Sequence, residues 1–290
     1  DFLVKFLRKE TPFYISDPTW GNHRAIVTAA GLTDLRKYRY FDSSTKGLDF
    51  DGMLEDIKAA PHGSVFLLHA IAHNPTGVDP SAEQWVILSA ALKDGGHHVF
   101  LDCAYQGFAS GDAEMDGAPI RRLVDDGHNV ILAQSFSKSF GLYNDRIGCL
   151  SMVCPTEDMA MRVTGQMKRI ARANYSNPPA HGARIMKTIL GDQELRCQWS
   201  GECLVMANRI NSMRKLLRKK LEEVGSLHNW EHITSQIGMF AYTGLSQVEV
   251  EALRVDCSIF LTKDGRLSMA GVNSNNVDYL AQSIHSVTIR

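Results

Sequence analysis

No stretch of this 290-residue chain is apolar for long enough to span a bilayer as a helix, so nothing points to a helical membrane protein. Blocks of like charge are also missing, and the formal net charge is only −1. Neither a nucleic-acid track nor a basic membrane patch is therefore expected. The six cysteines (103, 149, 154, 197, 203 and 257) include no Cys-x-x-Cys pair and mostly lie within apolar runs. That usage fits reduced core thiols in an intracellular protein better than disulfides or a metal site. The histidines, including the pair His97-His98, show no metal-ligand spacing, so no metal is expected. Internal repeats and low-complexity linkers are lacking too. The opening "DFLVKFLRKETPFYISDPTW" has neither an initiator methionine nor a signal peptide, and reads as a chain already under way. A cytoplasmic location is expected, with a mitochondrial one left open because a targeting segment would lie upstream.

What is present is a globular composition, 44% hydrophobic and 22% charged, in a chain long enough for one large domain and a smaller one. From residue 10 to 155, short apolar runs bounded by Gly, Pro, Asp or Asn alternate with helical patterns. The runs Pro12–Ile15, Ser64–His69, His98–Asp102, Asn129–Ser135 and Arg146–Val153 predict strands. Asn22–Ala30, Phe50–Ala59 and Ala82–Lys93 predict helices, the last capped by Ser81 and stopped by Gly95-Gly96. This alternation predicts an α/β fold with a mainly parallel sheet flanked by helices. Helical patterns dominate from Thr156 to Val224, where "MANRINSMRKLLRKKLEEVG" has apolar residues at helical spacing and a basic-acidic exposed face, and reads as a long solvated helix. Shorter elements follow Gly225. The division expected is a large domain over residues 1–205 and part of a smaller α+β domain over 206–290, bridged by that helix.

Open parallel sheets bind ligands beyond the carboxyl ends of their strands. Three predicted strands end in polar residues: His69 to Asn74, Asp102 with Tyr105, and Ser135 with Lys138. Each has an ordinary reading. Lys138 alone is a surface lysine, Asp102 a turn cap, Asn74-Pro75 a turn, and Trp20 a core filler. Together, a lysine, a carboxylate, an amide and a phenol suit pyridoxal 5'-phosphate. Its aldehyde needs an amine, its ring nitrogen an acid, and its ring oxygen hydrogen-bond partners. Ser135 and Arg146 suit its phosphate.

The motifs "HNPTG" (73–77), "LDCAYQGFASGD" (101–112), "SFSKSFGLYNDRIG" (135–148), "YSNPPAHGARI" (175–185) and "GRLSMAGVN" (265–273) occur in one order along nearly the whole chain. The sequence thereby resembles the aspartate aminotransferases of fold type I. The resemblance implies Lys138 as the amine that holds the cofactor and shuttles the substrate proton, and Asp102 as the partner of the ring nitrogen. It makes Asn74 and Tyr105 ligands of the ring oxygen, Trp20 the indole stacked on the ring, and His23 and His69 imidazoles behind Asp102. Arg266 matches the fork for the substrate α-carboxylate and Phe240 an aromatic wall beside it. Arg172 matches an arginine that reaches the distal carboxylate from the partner subunit, which implies a homodimer with shared active sites. Cis bonds at Asp17–Pro18 and Asn74–Pro75 are also implied. The family carries a further segment before the point matching Asp1, with a phosphate-gripping turn and a partner-subunit tyrosine that have no counterpart here.

The reaction so implied is reversible amino transfer between L-aspartate and 2-oxoglutarate, giving oxaloacetate and L-glutamate by ping-pong kinetics. An apolar substrate tail would leave the Arg172 guanidinium unpaired, so dicarboxylic amino acids are the expected substrates. Two rivals stand beside it: a related transferase acting on aromatic amino acids, and a truncated, catalytically silent dimerising form.

Overall fold

The computed structural model describes residues 1–289, which form ten strands. They are β1 (Phe13–Asp17), β2 (Leu35–Arg39), β3 (Phe41–Asp42), β4 (Gly47–Leu48), β5 (Val65–His69), β6 (His98–Cys103), β7 (Ile131–Ser135), β8 (Gly148–Met152), β9 (Phe240–Tyr242) and β10 (Arg266–Ser268). Six of them make one sheet in the order β2-β1-β5-β6-β7-β8, parallel except for β8, which runs antiparallel to β7. The predicted α/β class with a mainly parallel sheet is what forms. All five residues of β5 are buried, as a strand covered on both faces requires.

Strand β2 escapes a reading by apolar runs. "LRKYR" buries only Tyr38, because β2 is a sheet edge, where exposed charge guards against pairing with another chain. The predicted helices Asn22–Ala30 and Phe50–Ala59 form at those limits, and the third runs Ala82–Asp94. Ser81 and Gln84 make a reciprocal capping box at its start. Both implied cis bonds, Asp17–Pro18 and Asn74–Pro75, are present.

Three helices, Glu157–Tyr175, His181–Gly191 and Gln193–Glu223, fill the helical stretch. The third is the long helix expected, with Lys215 and Lys219 exposed on its charged face. Cys203, Ala207, Ile210, Arg214, Leu217 and Leu221 recur at helical spacing and are buried. Arg214 sits in the middle of that stripe, only 1% exposed. Toward its start this helix braces the loop after β7: Trp199 Nε1 donates to the Ser139 carbonyl at 2.7 Å, and its indole stacks on Phe140 at 4.4 Å. Toward its end Leu217 and Leu221 join a core with Leu253, Leu267, Ala281 and Ile284. A second core, around Phe66, Leu88 and Leu101, lies against the sheet. No helix among the described residues is long and apolar enough to cross a membrane.

Candidate active site

The parallel strands β5, β6 and β7 bring their carboxyl ends side by side, with His69 directly opposite Asp102 in register. From that edge a connected set of polar groups extends. His23 Nε2 lies 3.1 Å from Asp102 Oδ2, and its Nδ1 lies 2.8 Å from Thr19 Oγ1. Thr19 Oγ1 in turn is 3.4 Å from His69 Nε2, while His69 Nδ1 accepts the Asn74 backbone N–H at 3.0 Å. That last bond fixes the direction of the whole chain. With Nδ1 accepting, neutral His69 carries its proton on Nε2 and donates to Thr19, Thr19 donates to His23 Nδ1, and His23 Nε2–H donates to Asp102.

The electrostatics follow from this wiring. Burial lowers the His69 pKa to about 4, against the upward pull of Asp102, so the ring is neutral at physiological pH. Burial pushes the Asp102 carboxyl up, but the hydrogen bond from His23, the facing imidazoles and the Lys138 ammonium outweigh it. Asp102 therefore titrates below the ordinary carboxylate value. His23, His69 and Asp102 bring three ligand-type atoms within 4.8 Å of one another. In the network above both facing imidazole nitrogens carry protons, so the lone pairs a cation would need are occupied.

Lys138 lies three residues beyond β7, its Nζ 5.0 Å from the centre of the Tyr105 ring and 5.5 Å from that of Tyr143. Burial depresses its pKa, opposed by Asp102 and assisted by Arg146. The Tyr105 phenol is held neutral, raised first by burial and then by Asp102. Asn74 joins the two halves of the site. Its Nδ2 donates to Tyr105 Oη at 3.4 Å, and its Oδ1 accepts from Arg266 NH1 at 2.8 Å. The guanidinium of Arg266 rests over the Phe240 ring at 4.2 Å, and Phe240 meets Tyr105 edge-on. Trp20, 38% exposed, stands perpendicular to His23 with a centroid distance of 5.3 Å, leaving indole surface free to cover a planar ligand.

Nine of the twelve singled-out residues thus gather at one place: Trp20, His23, His69, Asn74, Asp102, Tyr105, Lys138, Phe240 and Arg266. Ser135 ends β7, where its hydroxyl accepts the Ser137 N–H at 3.3 Å. Arg146 donates to the Tyr143 carbonyl at 2.9 Å and is close enough to Lys138 to depress its pKa. Arg172 is not brought in by its own chain. It ends the helix Glu157–Tyr175, exposed, with its guanidinium on Ser176 Oγ. The sequence reading missed Tyr143 and Trp199, which flank and brace the lysine loop, because isolated aromatics carry no positional signal. It also missed His73, which stacks on Tyr40 at 3.8 Å and bonds Ser16 and Thr76.

This donor set fits a planar cofactor with a basic ring nitrogen, a ring hydroxyl and an aldehyde. An ionised carboxylate, an amide–phenol pair and a partly desolvated amine are linked through neighbouring contacts, with a partly exposed indole beside His23. Fold and site together define an α/β enzyme class in which an aspartate and a lysine stand at the carboxyl ends of adjacent parallel strands. The chain belongs to the family described as aminotransferase class I and II, whose model it matches over residues 1–284. Its sequence is 51% identical over 288 residues to the mitochondrial aspartate aminotransferase of Dictyostelium discoideum, covering 99% of this chain and 67% of that one. The chain thus spans about two thirds of the length of the curated relatives it matches. Its fold is similar to a broad specificity aminotransferase from Leishmania mexicana, with a TM-score of 0.97, 45% identity, and coverage of 99% of this chain and 71% of that one. It is also similar to an aromatic-amino-acid aminotransferase from Burkholderia pseudomallei, covalently bound to pyridoxal phosphate (TM-score 0.95, 40% identity, 98% of this chain, 70% of that one).

Proposed function

We propose that this chain carries the chemistry of an aspartate aminotransferase, moving the amino group between L-aspartate and 2-oxoglutarate, with pyridoxal 5'-phosphate as cofactor. One observation carries the reading: a carboxylate, Asp102, and an amine, Lys138, stand at the carboxyl ends of adjacent parallel strands, with the Tyr105 ring 5.0 Å from the amine. When bound, the cofactor supplies an aldehyde for amine exchange and a ring that draws electrons from the substrate Cα.

The chain's own residues supply the rest. Asp102, oriented by His23, holds a proton on the ring nitrogen. Lys138 Nζ, whose charged form is disfavoured by burial, takes and returns the Cα proton. Asn74 and Tyr105 orient the ring hydroxyl, Trp20 covers the ring face, and Ser135 and Arg146 receive the phosphate. Arg266 binds the α-carboxylate against Phe240. Arg172, exposed at a helix end, serves the distal carboxylate of a partner subunit's site, so the working form in this reading is a homodimer. We divide the chain near residue 205 into the large unit and the smaller one, sharing the helix Gln193–Glu223. The mitochondrial name of the Dictyostelium relative favours that compartment over the cytoplasm first expected.

Borohydride treatment of cofactor-saturated protein, followed by peptide mapping, tests the reading. Modification at Lys138 is expected, and an unmodified Lys138 would favour the silent dimerising form. The broad-specificity and aromatic relatives keep aromatic substrates as a second reading. Arg172→Ala separates the two: kcat/KM for aspartate should fall on the order of a hundredfold while that for phenylalanine holds, and equal losses would remove the specificity role.

A further inference from the structure

Arg214 stands out among groups that the proposed chemistry does not use. It is a fully buried arginine with no carboxylate in salt-bridge range among the described residues, and its Nε has no hydrogen-bond partner. Burial lowers its pKa to about 10, so it remains charged at neutral pH. An unpaired buried cation is strongly destabilising unless its surroundings need it. What surrounds it is backbone. NH1 donates to the Ile233 carbonyl at 3.0 Å, and NH2 to the carbonyls of Gly238, at 2.8 Å, and Phe240. Three carbonyls converging on one planar fork suit a guanidinium, and no other side chain offers as many rigid donors.

The segment so held meets the HNPTG loop with no side chain between them. Ile237 N–H donates to the Gly77 carbonyl at 2.8 Å. Gly77 has φ 66°, and a Cβ there would lie 2.8 Å from the Ile237 oxygen. Gly238 has φ 83°, and a Cβ there would lie 2.6 Å from Ala72 Cβ. Both glycines are thus demanded by left-handed backbone and by close approach. On the loop side, the partly buried Asp79 accepts the Ala72 and His73 N–H groups at 2.6 and 2.9 Å. Each side of this joint carries one end of a single contact: Asn74 follows His73, and Arg266 rests on Phe240 and reaches Asn74 at 2.8 Å.

We propose that Arg214 is a positioning residue for substrate recognition, acting through the backbone of Gly238 and Phe240 to set Arg266 against Asn74 across the Gly77–Ile237 joint. Asp79 fixes the opposite side. The assignment rests on the aminotransferase reading for its ligand, though not for the joint itself. A register shift at Phe240 would displace both the wall beneath Arg266 and its strand partner Ser268, so substrate binding should suffer before cofactor binding does.

The test compares cofactor-loaded wild type with Arg214→Lys, Arg214→Met and Asp79→Asn in two measurements. The first is succinate affinity, read from the cofactor absorbance, together with KM and kcat. The second is hydrogen exchange at the Ile237 amide. Loss of charge-assisted hydrogen bonds predicts about tenfold or greater weakening of succinate binding and a matching rise in KM in Arg214→Met. The Lys variant should be partly rescued, and in both arginine variants kcat should stay within about threefold of wild type. Ile237 exchange should quicken in both arginine variants. Asp79→Asn approaches the joint from the other side and should shift both readouts the same way, which keeps the test decisive should Arg214→Met fail to fold. Unchanged succinate affinity and KM alongside a lowered melting temperature would reduce Arg214 to a stability role and overturn the proposal. A wild type that ignores succinate would instead bring down the aminotransferase reading, and the exchange measurement would still judge the joint: unaltered protection of Ile237 in Arg214→Lys overturns it.

Discussion

Burial pushes the Asp102 carboxyl up, and the His23 hydrogen bond together with the neighbouring imidazoles and Lys138 brings it below its ordinary value. The proposed chemistry uses that balance, since an ionised carboxylate favours a proton on a basic ring nitrogen. Asp102→Asn preserves shape and removes the charge. Its kcat is expected to drop on the order of a hundred- to a thousandfold, as when a preorganised electrostatic partner is lost, with Lys138 still reactive toward the cofactor. Single-turnover rates measure this, and a value within a few-fold of wild type would remove Asp102 from its role. Residue identity was legible here. Lys138, Asp102, Asn74 and Tyr105 stand at strand ends inside recognisable motifs, and the parallel register then carries them together. Arg214 was not, because it lies among Lys215, Arg218, Lys219 and Lys220, and composition around it speaks of solvent. Only its phase separates it from them: it falls on the stripe of Ile210 and Leu217 while those four fall off it.

Elements here were announced chiefly by their ends. The helix Ala82–Asp94 opens on the Ser81–Gln84 capping box, and the helix Gln247–Cys257 on an equivalent Ser246–Glu249 box. Each box satisfies amide groups that the helix cannot, and removing its serine costs about 1 kcal/mol. The two boxes lie on opposite sides of the proposed division near residue 205, so they probe it. Ser81→Ala should speed hydrogen exchange in residues 82–94 and their neighbours on the sheet. Ser246→Ala should do so around 247–257, leaving the sheet unaffected. Equal effects of either change everywhere would mean one cooperative unit and remove the division. Strand β2 shows the opposite case, an element set by position rather than pattern. Its charges are tolerable only at an edge, and the sequence does not say which strand will be the edge.

For the molecule as a whole, buried imidazoles tie stability to pH. Burial lowers the pKa of both His69 and His232 to about 4. An unfolded chain protonates such residues near 6.5, so between about 4 and 6.5 the unfolded state binds the extra protons and stability falls as pH falls. Each histidine contributes about 3 kcal/mol at most across that window. Asp79, raised by burial to about 6, works in the opposite sense below that pH and offsets part of the loss. With His73 also held well below its ordinary value, the imidazoles outweigh it. The melting temperature should therefore be lower at pH 4.5 than at pH 7. A flat profile would contradict the buried neutral state of these rings.

The sequence by itself determined the chemistry available and the order in which it is delivered. An alternating α/β chain must place its strand-end residues on one edge of a parallel sheet, and five motifs in series say which residues those are. Tertiary structure alone decided which groups would be ionised, which tautomers His69 and His23 adopt, and that an arginine in a basic helix would be buried as a clamp. Those outcomes depend on desolvation and on hydrogen bonds between residues far apart in the chain, such as His23 with Asp102 and Arg266 with Asn74. Local pattern carries no record of such distances, and only packing creates them.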